Sequence, residues 1–472
     1  MTTLAAPTID VHDPATGELV GSVPIADQAA IDAAVVAARD AQPSWARTRA
    51  SERAAALREA AATVRAEREA LAELQTREMG KPIGESLAGV DAGIDSIEAH
   101  AQLGPLHGGR GLGGDWLAHD ATVKEPRGVV AVITPWNDPV AIACGQLAAA
   151  LVTGNAVVFK PSERAPLASA RVAEHLRAVL PSGVLELVHG DGRAGAPLAA
   201  HRGVDVVLHT GSSAAGREIA RACAERGAKA ILENGGKDAL VIDASVDPSW
   251  AATLAAAGAF ANAGQVCTSV ERIYVHHDIA EPFRDHLVAV ASALRIGPGL
   301  DPATQLGPLV DARMREAVDA QVQAALAAGA RALCGGEPAD GPGCFYPPTV
   351  LIDVSDAMAV MCDETFGPVA PVRVVASFDE GLELARQGPY GLAATVLSCD
   401  QRHAARACRE LPVGTVKVNS LSGGAPGGGA HPRGISGEGV GYGPGLLDEL
   451  TATKVVHIEP GVPAIARLLS PS

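Results

Sequence analysis

Cys267 stands in the run Gly264-Gln265-Val266-Cys267-Thr268-Ser269, small residues just ahead of the apolar Ile273-Tyr274-Val275. Upstream, Glu233 sits in Leu232-Glu233-Asn234-Gly235-Gly236-Lys237. A thiolate is the strongest side-chain nucleophile available near neutral pH. A carboxylate on a glycine-flanked segment can activate water against whatever the thiol has captured. Together they suggest covalent catalysis with a hydrolytic second half. Asn137 of Thr134-Pro135-Trp136-Asn137 ends a strand-like apolar run, where open α/β sheets bind ligands. Its amide can stabilise an oxyanion without adding charge, although taken singly it also reads as a turn-stabilising asparagine.

Two further motifs carry nucleotide-binding chemistry. Val204 to Leu208 followed by His209-Thr210-Gly211-Ser212-Ser213-Ala214-Ala215-Gly216 reads as strand, tight turn and helix, which aims backbone N–H groups at a pyrophosphate. It is not the GxGxxG fingerprint, and an ordinary strand-to-helix turn is the plainer reading. Phe159-Lys160-Pro161-Ser162-Glu163 follows another strand, and its Lys and Glu can bond ribose hydroxyls or simply cap a solvated strand end.

The surrounding elements alternate as a parallel sheet with crossover helices requires. Helical character runs over 27–41 and 51–78, the second laced with Glu/Arg pairs that read as a solvated face. Short apolar runs at 129–133, 156–159, 185–188 and 204–208 then alternate with helical stretches at 166–180 and 214–226. A second series runs from Ala239 to about Val418, so two α/β lobes meet near Gly235-Gly236. The stretch 423–429 reads as a glycine-rich loop, and Lys454-Val455-Val456-His457-Ile458 as a late strand with no partner downstream.

Composition narrows the partners. The 472 residues are 47% hydrophobic and carry a formal charge of −16, so a large core is available and no basic surface for nucleic acid or anionic membrane is expected. The longest apolar stretch, 140–152, is broken by Gln146 and falls short of the ~20 residues that span a bilayer. With no signal peptide read at the N-terminus, a cytoplasmic protein is expected. The eight cysteines show no paired spacing, so reduced thiols are expected. Cys144, Cys223, Cys399 and Cys408 read as small buried hydrophobes. Histidines 201, 209, 276, 277 and 431 show no ligand spacing, and no metal site is expected.

At these motifs the chain resembles the aldehyde dehydrogenase superfamily. The resemblance spans nearly the whole length and includes, in order, the motifs at Asn137, Lys160, Gly211, Glu233 and Cys267, then Glu364-Thr365-Phe366-Gly367-Pro368. It implies a Rossmann-type NAD-binding domain over 1–114 and 135–235 and an α/β catalytic domain over 236–437. A β-hairpin oligomerisation arm over 115–134 and a C-terminal strand within 438–472 complete the subunit, with that strand pairing across a homodimer or homotetramer. The implied reaction oxidises an aldehyde to its acid: Cys267 attacks, Asn137 and the Cys267 N–H hold the oxyanion, and Glu233 activates the hydrolytic water. Trp136, Lys160, Ser162, Glu163, Gly211, Ser212, Gly216, Gly235, Glu364 and Phe366 fall at cofactor-binding positions. A carboxylate at Glu163 favours NAD over NADP.

Several positions depart from the pattern. Asn234 replaces a common apolar residue, Ala214 an acidic one, and 423–443 keeps only Ser436-Gly437 of the family's C-terminal motif. Asp138 stands where an aromatic or aliphatic residue is usual. It either faces substrate, selecting a cationic or hydroxylated aldehyde, or caps the helix beginning at Pro139. Acyl transfer to coenzyme A, esterase action through the same thiol and a non-catalytic binding role are the alternatives.

Overall fold

The computed structural model describes residues 7–114, 118–421 and 429–459. Two sheets organise it. The first has six strands in the order Gly437–Glu438, Lys229–Glu233, Val206–Thr210, Val129–Ile133, Ala156–Lys160, Leu185–Leu187, all parallel except the first. The direction of winding reverses between Val129–Ile133 and Val206–Thr210, so their C-terminal ends form a topological switch point. Continuous Val/Ile/Ala runs at the centre are buried on both faces, as covered parallel strands demand.

The chain leaves this sheet at Glu233 and enters the second at Asp238. The second sheet has seven strands, ordered Arg331–Cys334, Thr349–Ile352, Val369–Val375, Val270–His276, Asp238–Ile242, Ala393–Leu397, Thr415–Val418, with only the first antiparallel. Each sheet has its own apolar core. The segments bearing Cys267 and Glu364 precede the N-terminal ends of second-sheet strands, and Thr134, Gly211 and Glu233 lie at C-terminal ends in the first. The two lobes thus present opposite strand ends to one another.

Three expectations need correction. The range 115–134 takes in Val129–Ile133, a central strand of the first sheet; the separate ribbon is His119–Pro126 with Gly111–Leu112. The late strand, Thr451–Ile458, has a partner within the chain, pairing antiparallel with His119–Pro126 over eight residues. Within 438–472, Pro444–Glu449 is a helix whose Leu446 and Leu447 pack into the core of the first lobe. The late strand forms one edge of the three-stranded ribbon sheet and leaves Val455 and Ile458 exposed.

The helical stretch 51–78 is two helices, Ala50–Ala66 and Arg68–Met79. Most of its charges reach other elements: Arg65 pairs with Glu98, Arg68 with Asp91, and Glu67 with Arg171. Glu78 is buried and accepts from the N–H groups of Leu167 and Ala168. Cys144 and Cys223 are buried, whereas Cys399 and Cys408 are exposed: Cys399 precedes the helix Gln401–Glu410, and Cys408 lies on it where little beyond Ala407 is buried. Among the described residues no helix is long and apolar enough to cross a membrane.

Candidate active site

A cavity of about 820 Å³ runs between the lobes and along the switch point. Trp136, Asn137, Lys160, Ser162, Glu163, Gly211, Ser212, Gly235, Cys267, Glu364 and Phe366 all line it. Gly216 and Glu233 do not. Gly216 is buried against the Asn234 side chain, and the Glu233 side chain lies beside Gly441.

The thiol is presented by a tight turn. Asn262, Ala263 and Gly264 adopt φ of 47°, 54° and 73°, three left-handed residues in succession. A non-glycine residue held there carries strain of order 1–3 kcal/mol, so the turn must be held from outside. At Gly264 a side chain is excluded twice over, since a Cβ would also lie 2.0 Å from the Gly367 carbonyl oxygen. Glu85 accepts from the Asn262 N–H at 2.9 Å. The Gln265 side chain donates to the Asn262 carbonyl and accepts from the Val310 N–H. The Gln265 carbonyl in turn accepts from both Asn137 Nδ2 (3.0 Å) and Asn262 Nδ2 (3.1 Å). Asn137 is therefore tied to the thiol's own loop, with its second amide hydrogen left for a ligand.

The electrostatics are dominated by carboxyl groups in desolvated surroundings. Burial alone pushes Glu233 up to about 7, and its carboxylate makes no hydrogen bond or ion pair among the described residues. Burial, with Glu271 nearby, pushes Glu364 up to about 8. Burial and the carboxyl groups of Glu233, Asp238 and Glu364 push the Cys267 thiol well above the usual cysteine range. The resting thiol is protonated, so it needs an acceptor for that proton before it attacks.

Glu364 accepts from the Gly236 N–H at 3.1 Å, and Gly235 admits its carboxylate, which lies 2.2 Å from where a Cβ would be. The loop carrying Glu364 and Phe366 rests on a residue that sequence reasoning did not single out. Glu271, buried beside its partner Lys237 at 2.8 Å, accepts from the N–H groups of Thr365 and Phe366 at 2.8 and 2.9 Å. Lys237 also donates to Thr365 Oγ1. Phe366 has φ 53° and packs edge-on to Trp136 at 5.4 Å. Nothing in the sequence flags Glu271, because an acidic residue beside Arg272 reads as surface charge. Glu271→Gln keeps the shape but removes the charge from this bonded set, and is expected to lower stability by about 2 kcal/mol. A thermal midpoint equal to the parent's would contradict this.

In the first lobe, Ser212 caps the helix Ser213–Arg226, accepting from the Ala215 N–H, and presents that N-terminus to the cavity. Lys160 is buried and donates to the carbonyls of Pro161 and Gly190, while Glu163 stays partly exposed at the cavity wall. His209 lines the cavity too, its ring held neutral by burial, which pulls its pKa down to about 4.

Asp138 fits neither of its expected roles. It occupies the N-cap position of Pro139–Val152 but makes no capping bond, and it is not among the cavity residues. It instead forms an ion pair with the buried Lys81 at 3.1 Å. The segment 423–428 lies outside the described residues, whereas Asn234 bonds the returning strand, donating to the carbonyls of Ser436 and Ile435. His276, His277 and Asp278 lie together, contrary to the absence of ligand spacing, because the chain turns into a 3-10 helix there. None of the three lines the cavity, and His277 and Asp278 are exposed.

A thiol, an amide and a carboxylate thus share one cavity with a helix N-terminus, an arrangement suited to nucleotide-linked oxidation. The aldehyde dehydrogenase family model matches residues 2–456, and the chain belongs to that family. Its reaction class is the oxidation of an aldehyde to a carboxylic acid. A betaine aldehyde dehydrogenase of Cereibacter sphaeroides is 39% identical over 460 residues, covering 96% of this chain and 94% of its own. The betaine aldehyde dehydrogenase of Staphylococcus aureus, solved with NAD+, has TM-score 0.93 and 32% identity, covering 96% of this chain and 91% of its own. A 3,6-anhydro-L-galactose dehydrogenase solved in complex with NAP has TM-score 0.93 and 34% identity, covering 96% of each chain.

Proposed function

We propose that the protein oxidises an aldehyde to its acid with NAD, through a thioester on Cys267. The observation that carries this reading is that Cys267, Asn137 and Glu364 share one cavity with the helix N-terminus at Ser212. The cavity volume is that of a pocket for a sizeable ligand, and the helix end, the Ser212 hydroxyl and the partly exposed Glu163 suit pyrophosphate and ribose. Bound there, NAD supplies a hydride acceptor.

The residues divide the remaining work. Cys267 gives its proton to water that carries it out of the cavity, and its sulfur bonds to the aldehyde carbon. The free Asn137 hydrogen and the Cys267 N–H hold the oxygen that becomes negative. Loss of hydride leaves a thioester. Glu233 takes a proton from water, the water oxygen bonds to the carbonyl carbon, and the C–S bond breaks to return the thiolate and release the acid. Glu364 would hold the ribose next to the nicotinamide, with Trp136 and Phe366 walling the ring. Lys160, Ser162 and Glu163 would face the adenosine ribose, and Gly211, Ser212 and Gly216 would shape the pyrophosphate turn. Because Glu233 is present, hydrolysis is favoured over transfer to coenzyme A.

A carboxylate within about 5 Å of a 2′-phosphate costs on the order of 1–3 kcal/mol at a protein surface. Glu163→Ala is therefore expected to lower the NAD-to-NADP ratio of kcat/KM about tenfold. An unchanged ratio would remove Glu163 from the ribose site. The named relatives make betaine aldehyde the first substrate to test, although Asp138, tied to Lys81, supplies no charge to select a cation. NADH formation with betaine, aliphatic, aromatic and carboxylated aldehydes tests the reading; no NADH from any of them, in protein that binds NAD, would count against it. The edge strand Thr451–Ile458, with Val455 and Ile458 exposed, would pair with a second copy in a homodimer or a tetramer of two such dimers, in the cytoplasm.

A further inference from the structure

An ion pair crosses between the lobes at the cavity wall. Arg164 follows the strand Ala156–Lys160 of the first lobe, and Asp311 caps the second-lobe helix Ala312–Ala327. Asp311 Oδ1 accepts from the Met314 N–H at 2.8 Å, while Oδ2 lies 3.3 Å from Arg164 Nε and 3.2 Å from Nη2 of the exposed Arg313. The Arg164 guanidinium covers the Trp136 ring, its Cζ 5.6 Å from the ring centre. Apart from the ion pair it makes no hydrogen bond with the described residues, so most of its donors remain for a ligand. Charge in the cavity is lopsided. Of the charged side chains lining it, Glu163, Glu218 and Glu364 are acidic, against Lys160 and Arg164. Lys160 donates to the carbonyls of Pro161 and Gly190, which leaves Arg164 as the lining cation whose donors are not committed to the protein. A pyrophosphate diester carries a charge on each phosphate, which the partial charge of one helix N-terminus does not offset.

We propose that Arg164 is a cofactor-binding residue, a latch that leaves Asp311 and sets its guanidinium on the pyrophosphate when NAD enters. Asp311 keeps the Met314 N–H and Arg313 in that state, so it loses neither its capping role nor its counter-charge. The exchange turns a contact between the lobes into a contact with the cofactor, and supplies the cation that the cavity otherwise lacks. This rests on the reading of the cavity as the NAD site.

The test is a double-mutant cycle in the full-length protein, with NAD affinity read by titration calorimetry, in which the two partners have opposite expected effects. Arg164→Gln removes the cation and is expected to weaken NAD binding about tenfold. Asp311→Asn keeps an oxygen that can cap the helix but no charge, so it frees Arg164 and is expected to tighten NAD binding about threefold. Added to Arg164→Gln, it should leave NAD affinity unchanged. NAD affinity equal to the parent's in Arg164→Gln, or weaker binding in both single variants as a purely structural ion pair would give, would overturn the proposal. Failure of the cofactor reading shows separately, as no heat of NAD binding in the parent.

Discussion

Cys267→Ala is expected to abolish NADH formation, lowering kcat/KM by on the order of 10⁴-fold or more while leaving NAD affinity within twofold of the parent. The size of the loss follows from the role. Asn137, Glu364 and the helix N-terminus at Ser212 bind and orient, but without sulfur no covalent adduct forms and the hydride has no activated carbon to leave. The sparing of NAD follows from geometry. Cys267 and the Ser212 helix N-terminus line the cavity from different lobes, and Cys267 is connected to Asn137 through the Gln265 carbonyl rather than through its own side chain. NADH formation at the parent rate in Cys267→Ala would remove the thiol from the mechanism.

Glu233→Gln is expected to lower steady-state kcat about 10³-fold while preserving a first-turnover burst of NADH, since hydride transfer precedes the step that needs the base. The burst separates the two halves of the reaction; its absence would place Glu233 before hydride transfer. The pH dependence follows from burial. With its pKa near 7, Glu233 is neutral and idle below that pH and ionised above it, so hydrolysis-limited kcat should rise through neutrality and level off. Stability runs the opposite way. Because its pKa is raised on folding from the ordinary 4.5, its contribution is fully present below that value and is lost as pH rises through about 7. Glu233→Gln stays neutral, so its thermal midpoint should exceed the parent's above neutral pH, and an equal midpoint there would mean the carboxylate is well solvated.

The sequence was most legible where local pattern and global fold agree. Val129–Ile133 and Val206–Thr210 are near-continuous apolar runs ending in turn residues, and their chemistry sits where such strands end. Cys267 and Asn137 drew notice because a nucleophile and an oxyanion donor restrict residue type, and the fold brings both to one cavity. The rest depended on contacts between distant segments. No local signal pairs Thr451–Ile458 with His119–Pro126, so the strand looked partnerless. Asp138 precedes Pro139 as a capping residue would, but Lys81, far away in sequence, captures its charge. Glu271 and Gly441 escaped for related reasons: one looks like surface charge and the other like one more glycine, and only the fold shows a loop resting on the first and a carboxylate filling the space above the second.

The central claim is that a thioester forms on Cys267 and waits for Glu233. The most direct measurement mixes Glu233→Gln with NAD and an aldehyde that the parent oxidises, quenches in acid, and weighs the peptide containing Cys267. The account predicts that peptide carrying the acyl group in amounts matching the NADH burst. An NADH burst with an unmodified Cys267 peptide would contradict it.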